Sequence, residues 1–230
     1  MVCQLKIQDL GKMAYEPALE LQRSAQAGVI SRRGSIKSDP FQLLLVEHDP
    51  PVITQSKRPS AGENLLASPA QLQSAGVVVC QTDRGGDITY HGPGQLVGYP
   101  ILDLNELSLR IHGYMRFLED IVINVLSTYK IEGGRDSCAT GVWVDGAKIC
   151  AMGVRVSRWV SMHGFALNVS PNLAHFDLIV PCGLTGKSIT SMQKILGNNC
   201  PSMEEVKLVV REEFSKAIAL QAQVQREPRL

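Results

Sequence analysis

Arg84-Gly85-Gly86-Asp87-Ile88-Thr89-Tyr90-His91-Gly92-Pro93-Gly94-Gln95 sets four glycines and a proline around a short apolar and aromatic centre. Glycine gathers where the backbone must take positive φ or come into contact with something else. Two readings stand side by side. In one, Gly85-Gly86 and Gly92-Pro93-Gly94 are tight turns flanking a strand from Asp87 to His91. In the other, the segment faces a ligand, with donors on Arg84, Thr89, Tyr90, His91 and Gln95. Both put a β element at the middle of the chain. Both neighbours agree with it, since Val77 to Thr82 reads as a buried β-branched strand and Leu96 to Asp103 as another.

Moving toward the C-terminus, Arg110 to Tyr129 repeats apolar residues at three- and four-residue steps. Ile111, Tyr114, Met115, Leu118, Ile121, Val122, Val125, Leu126 and Tyr129 share one face, which predicts a core-facing helix. The period then changes to short strands at Gly141–Val144, Lys148–Val156 and Met162–Val169, with Asp145-Gly146 as a hairpin turn. One helical turn is expected over Asn172–Leu178 and a short helix near Ile189–Leu196. A last helix opens on the capping box of Ser202 and Glu205.

Toward the N-terminus, Leu5–Leu10 alternates as a strand and Ala14–Gln26 has helix composition, followed by a polar loop over Gly28–Pro40. Phe41–Glu47 is a continuous apolar run, as in a strand covered on both faces, and Asp49-Pro50-Pro51 ends it. Val52–Thr54 is expected to resume the same sheet. Ser68-Pro69 and Gly76 bracket a short capped helix. Strands flanked by helices with hairpins between them predict an α/β fold, a single domain over residues 1–222 with a mixed β-sheet flanked by helices, and a polar tail at 223–230.

The chain has 230 residues, 44% of them hydrophobic and 20% charged, the make-up of a globular protein able to bury a sizeable core. With 23 basic against 22 acidic residues, no global field recruits nucleic acid or an anionic membrane. Any acidic partner must meet a local patch. The cysteines lack the close spacing of a zinc or redox pair, so no metal and no cofactor is expected. Neither a signal sequence nor a membrane-spanning run is evident, which points to the cytoplasm, or to the mitochondrial matrix for a eukaryotic chain.

Two further stretches carry chemistry. Lys148 begins an apolar strand, Ile149-Cys150-Ala151-Met152-Gly153, and Cys182 sits in Ile179-Val180-Pro181-Cys182-Gly183-Leu184. The ordinary readings are a snorkelling lysine and an inert buried thiol. As a pair they make chemical sense, because the thiolate is the attacking form and a neighbouring cation stabilises it. His91, His163 and His175 are alternative basic partners for Cys182.

Taken together, Arg84 to Gln95 continuing into Leu96-Val97-Gly98-Tyr99-Pro100, Gly141-Val142-Trp143 with Lys148-Ile149, His163-Gly164-Phe165-Ala166-Leu167-Asn168, and Pro181-Cys182-Gly183-Leu184 resemble the octanoyltransferase family, the lipoyl(octanoyl) transferases of lipoate biosynthesis. The resemblance covers nearly the whole chain. It implies a fold like the catalytic domain of lipoate and biotin protein ligases. It also implies transfer of an octanoyl group from acyl carrier protein to a lysine of lipoyl domains, those of 2-oxoacid dehydrogenase E2 subunits and the glycine cleavage H protein. On this resemblance Cys182 is the thioester-forming nucleophile and Lys148 lowers its pKa and accepts a proton. Arg84, Gly85, Gly86, Asp87, Ile88, Thr89, Tyr90 and His91 become acyl-binding, as do Ala151, Met152 and Gly153, and Gly164, Phe165 and Ala166. Gln55-Ser56 departs from the Leu-Gly expected after Val52-Ile53-Thr54. Two other functions fit less of the sequence: an ATP-dependent lipoate ligase needs no nucleophilic cysteine, and a non-catalytic carrier-docking module needs neither Lys148 nor Cys182. Both protein partners of the transferase are acidic small domains, so a basic rim including Arg58, Arg84, Arg155 and Arg158 is expected.

Overall fold

A computed structural model of the protein describes residues 5–33, 41–58, 60–137, 139–180 and 187–224. Among these residues nine strands make two sheets, accompanied by six α-helices. The larger sheet has six strands: β1 (Leu5–Met13), β2 (Phe41–His48), β6 (Gln95–Ile101), β9 (Val160–Asn168), β8 (Ala147–Ser157) and β7 (Gly141–Val144), in that spatial order. The β1/β2 pair is parallel and the rest antiparallel, so the sheet is mixed as expected.

Both faces of this sheet are covered, which is why β2 reads as an unbroken apolar run. Its Leu43 and Leu45 join one core and its Leu44 and Val46 another, following the two-residue alternation of a strand. The first core packs under α4 (Ile111–Thr128) and α6 (Met203–Val224). From α4 it takes Tyr114, Leu118, Ile121, Val122, Val125 and Leu126, and from α6 Val206, Val210, Phe214 and Ile218. Ile111, expected on that face, is 52% exposed, because it stands in the first turn beyond the edge of the core. Burying the six α4 side chains that are sealed corresponds to roughly 9–18 kcal/mol of transfer free energy before conformational entropy is set against it.

The second face carries α1 (Tyr15–Ser31), whose Tyr15, Ala18 and Leu19 pack on Leu44, Val97, Tyr99, Ile101 and Val160. This helix runs past the expected end at Gln26, through Gly28, and buries Val29, so part of the expected loop is helical. Between α1 and the second sheet lies the space that becomes the site.

Two expectations need correction. Val52–Thr54 does not resume the main sheet: β3 (Val52–Gln55) is the centre of a three-stranded sheet, parallel to β4 (Val78–Gln81) and antiparallel to β5 (Ile88–His91). The Asp49-Pro50-Pro51 break is where the chain leaves one sheet for the other. Nor is β4 buried, with Val78 45% and Val79 37% exposed at the sheet edge. Its β-branched composition reports fitness for a pleat, not depth.

The helix ends follow the capping chemistry. Ser68 and Gln71 form a capping box at α3 (Pro69–Ala75), which Gly76 closes in the left-handed conformation, and Ser202 and Glu205 do the same at the start of α6. The short α2 (Ser60–Glu63) and α5 (Met192–Leu196) are single turns, and Leu173–Leu178 is a 3-10 segment capped by Asn172. No helix among the described residues is long and apolar enough to cross a membrane.

Candidate active site

A narrow cleft with about 40 Å³ of free space opens on the α1 face of the large sheet. Its floor is β6, β8 and β9, contributing Val97, Ala151, Met152, Phe165 and Ala166; its roof is the glycine-rich segment and Tyr15. The roof lies flat on the floor through backbone. Gly85 N–H donates to the Val154 carbonyl at 2.9 Å, and a Cβ placed on Gly153 would stand 2.8 Å from the Gly85 carbonyl oxygen. Glycine at 153 is therefore what lets the segment approach β8. Arg84 fastens the same segment to β3, donating from Nη2 to the Thr54 carbonyl at 2.9 Å and to Thr54 Oγ1 at 3.0 Å.

The alternation of β5 sorts the residues the sequence had grouped. Arg84, Gly86, Thr89 and His91 line the cleft together with Ala151, Met152, Gly153, Gly164, Phe165 and Ala166. Ile88 and Tyr90 point to the opposite face, into a cluster with Ile53, Val77, Phe176 and Ile179. Gly85 rests on β8, and Asp87 accepts from Asn64 Nδ2 at 2.8 Å, so neither borders the cavity. Turns build the segment, and Arg84, Gly86, Thr89 and His91 face the cleft.

Tyr15, Tyr99, His91 and His163 line the cleft, and His48 packs against Tyr15, His91 and Tyr99 without bordering it. His48 donates from Nδ1 to the Met13 carbonyl at 3.0 Å and accepts at Nε2 from the Tyr99 hydroxyl at 2.7 Å; burial pushes its pKa down to about 4. His91 lies parallel to the Tyr15 ring and 2.8 Å from Gln95 Oε1, and burial, with His48 beside it, holds its pKa well below the usual imidazole range. His163 is lowered too, mainly by burial, although Asp83 opposes the shift from 3.0 Å. Asp83 is itself penalised by burial but held below the carboxylate range by His163 and by Arg155 at 2.6 Å. All three histidines are thus neutral hydrogen-bonding groups near pH 7. His175, the other histidine proposed as a base, hydrogen-bonds Tyr90 at 2.9 Å on the far face.

Lys148 lines a small adjoining pocket of about 10 Å³, which shares Thr89 and Ala151 with the cleft. It is only 4% exposed. Its backbone is bracketed by the returning chain, with Lys148 N–H donating to the Ser188 carbonyl at 2.8 Å and Thr190 N–H to the Lys148 carbonyl at 3.0 Å. Gln95 and Asn168 line the same cavity and link it to His91: Asn168 Nδ2 donates to the Thr190 carbonyl, and Gln95 Nε2 to Asn168 Oδ1.

Cys182, with Pro181, Gly183 and Leu184, lies outside the described residues. Of the described chain on either side of it, Phe176 and Ile189 line the Lys148 pocket, and Val180 N–H is tied to the Asn64 carbonyl at 2.8 Å. Residues that reading the sequence did not place at the site are Tyr15, Val97, Tyr99, His48 and Asn168. Tyr15 and His48 carry no local signal, because one opens a helix and the other ends a strand far along the chain. Of the expected basic rim, Arg58 and Arg158 are exposed, whereas Arg84 is engaged with Thr54 and Arg155 with Asp83. Among the described residues no three metal-ligating side chains cluster.

Known proteins share this chain over most of its length. Residues 14–215 match the lipoyl protein ligase A/B catalytic domain. A protein of Solibacter usitatus named octanoyltransferase is 51% identical, covering 81% of this chain and 81% of its own. One of the same name from Chloroflexus aurantiacus is 45% identical over 96% of this chain and 97% of its own. In structure, a bi-partite lipoate protein ligase from Thermoplasma acidophilum superposes with a TM-score of 0.68 at 16% identity, covering 94% of this chain and 84% of that one. That likeness is one of fold.

Proposed function

Because the chain belongs to the lipoyl protein ligase A/B catalytic-domain family, we propose that it is an acyltransferase that moves an octanoyl group from acyl carrier protein to a lysine of lipoyl domains. The observation that carries this reading is the pair of octanoyltransferase relatives matching 81% and 96% of the chain at 51% and 45% identity. The ligase alternative rests on a 16% identical fold and is not favoured. The cleft supports the choice of substrate: an apolar floor of Val97, Ala151 and Ala166 suits an alkyl chain, and polar groups stand at one end.

The chemistry we assign runs in two steps. The Cys182 thiolate attacks the carbonyl carbon of the donor thioester, the bond from that carbon to the carrier sulfur breaks, and the Lys148 ammonium gives the departing thiolate its proton. The acceptor lysine amine then attacks the Cys182 thioester, neutral Lys148 takes the proton of the new amide, and Cys182 leaves as thiolate. Lysine and cysteine return to their starting forms. Splitting the reaction this way avoids holding carrier, acyl chain and acceptor together at once. Support for Lys148 comes from its burial beside the cleft and from Phe176 and Ile189, on the chain before and after Cys182, which line the same pocket.

The acceptors on this reading are the lipoyl domains of 2-oxoacid dehydrogenase E2 subunits and the glycine cleavage H protein, met in a compartment with reduced thiols, the cytoplasm or the mitochondrial matrix of a eukaryote. Intact-protein mass spectrometry after incubation with octanoyl carrier tests the thioester. A gain of one octanoyl group that disappears in Cys182→Ser is expected; the same gain in both proteins, or none in either, rejects Cys182 as the acyl carrier.

A further inference from the structure

Gly141-Val142-Trp143, one of the stretches quoted for the family resemblance, has no part in the two chemical steps. Its residues nevertheless frame Lys148. Strand β7 pairs with β8 so that Trp143 stands opposite Lys148, and Gly141, two residues away on the same face, lies under the lysine stem. A Cβ at Gly141 would stand 2.5 Å from the Cys150 carbonyl oxygen and 3.5 Å from Lys148 Cε. Gly141 leaves the stem its space, and Trp143 supplies a surface for the head: Lys148 Nζ lies 4.8 Å from the centre of the indole.

We propose that Trp143 is a positioning residue for the transfer reaction, holding the Lys148 ammonium on its ring face at the edge of the cleft; the proposal rests on Lys148 having the role given above.

The ring is itself fixed. Trp143 exchanges both backbone hydrogen bonds with Gly134 at 2.8 Å, and its Nε1 donates to the Ala139 carbonyl at 3.1 Å. With 4% of its surface exposed it cannot swing away without opening the sheet edge. A second ammonium, Lys187 Nζ, sits 5.4 Å from the same ring, but Lys187 is 38% exposed and lies 3.5 Å from the Asp136 carboxylate. Cation–π attraction is worth most where water is excluded. The buried Lys148 therefore draws the larger share, and the ring face fixes where its charge sits relative to Thr89 and Ala151, the two residues common to both cavities. An aromatic face suits this task, because it places a cation without neutralising the charge that the attacking thiolate needs.

The experiment uses the graded weakening of a cation–π contact by ring fluorination. The chain has two tryptophans, so Trp159→Phe leaves Trp143 as the single site for mono-, di- and trifluorotryptophan supplied to a tryptophan auxotroph. Octanoyl transfer from carrier to a lipoyl domain is measured for each protein alongside its thermal midpoint. A stepwise fall in kcat across the series, reaching about three- to tenfold with the midpoint held, is the expected result, and Trp143→Phe should keep more of the rate than Trp143→Leu. A rate flat across the series, in a protein whose Lys148→Met variant is inactive, overturns the positioning role and leaves the chemistry of Lys148 standing. Full transfer by Lys148→Met overturns both.

Discussion

His91 gives the proton on Nδ1 to Gln95 Oε1 across 2.8 Å, and the direction of that bond is set three residues away in the network. Asn168 must present its amide nitrogen to the Thr190 carbonyl, which turns its oxygen to Gln95; Gln95 then donates with its own nitrogen and offers its oxygen to His91. Nε2 of His91 is left as the lone-pair nitrogen. Gln95→Leu removes the link, strands Asn168 Oδ1 and His91 Nδ1 in a buried setting, and should cost about 1–3 kcal/mol of stability. Urea unfolding measures the loss, and nitrogen-15 shifts of the His91 ring should show the Nε2-lone-pair tautomer in the parent and a mixture in the variant. An unchanged tautomer in Gln95→Leu would show that the chain does not orient the ring.

The three buried histidines also set the response to acid. His48 titrates at about 4 when folded and near 6.5 when unfolded, so between these values the unfolded chain binds more protons. Stability therefore rises with pH across that window and is lost as pH falls from 6.5 toward 4; His91 and His163, also lowered, act with the same sign. His48 alone accounts for about 3 kcal/mol over the window, since one proton taken up on unfolding is worth about 1.4 kcal/mol per pH unit. In His48→Gln, which can still donate to Met13 and accept from Tyr99, the slope of unfolding free energy against pH from 6 to 5 should drop by about one proton. A slope equal to the parent's would mean that His48 is protonated in the folded protein.

Local pattern reaches some of this molecule and stops at other parts for physical reasons. The α4 stripe, the Asp145-Gly146 hairpin and the capping boxes at Ser68 and Ser202 are decided within a few residues of chain, so periodicity and turn chemistry locate them. Whether Val52–Gln55 joins the large sheet or starts a second one depends on Val78–Gln81 and Ile88–His91, partners far along the chain, and no local signal encodes that choice. The site divides the same way. Resemblance grouped Arg84 through His91 as one wall, but the β5 alternation turns Ile88 and Tyr90 away from it. Tyr15 and Tyr99 reach the cleft from α1 and β6, with His48 of β2 packed against both rings, a meeting set by tertiary packing and not by local pattern.

Ala166 is buried at the cleft floor, opposite Val97 on one side and Ala151 on the other. On the proposed function, the three carbons added by Ala166→Leu intrude on the acyl chain, so transfer should suffer beyond the ordinary cost of overpacking, which the thermal midpoint reads separately. Octanoyl transfer is expected to fall about tenfold or more, with a butanoyl donor nearly unaffected. Equal losses for both donors would argue that the alkyl chain lies elsewhere.

Arg58 and Arg158 are the members of the expected basic rim that remain solvent-facing, and this decides which charges can meet an acidic carrier. Arg84 is engaged with Thr54 and Arg155 with Asp83, where it also steadies His163. Arg58→Glu and Arg158→Glu should each raise the KM for carrier about two- to fivefold at low salt with kcat unchanged, since an exposed charge contact contributes up to about 1 kcal/mol. The effect should fade at high ionic strength, where the Debye length shrinks to about 3 Å near 1 M. Arg155→Glu is expected to behave differently: it places a carboxylate against Asp83, disturbs the His163 contact, and should lower kcat at every salt concentration. If Arg155→Glu instead follows the salt dependence of the other two, its part is docking; if neither Arg58→Glu nor Arg158→Glu changes KM, the carrier approaches by another face.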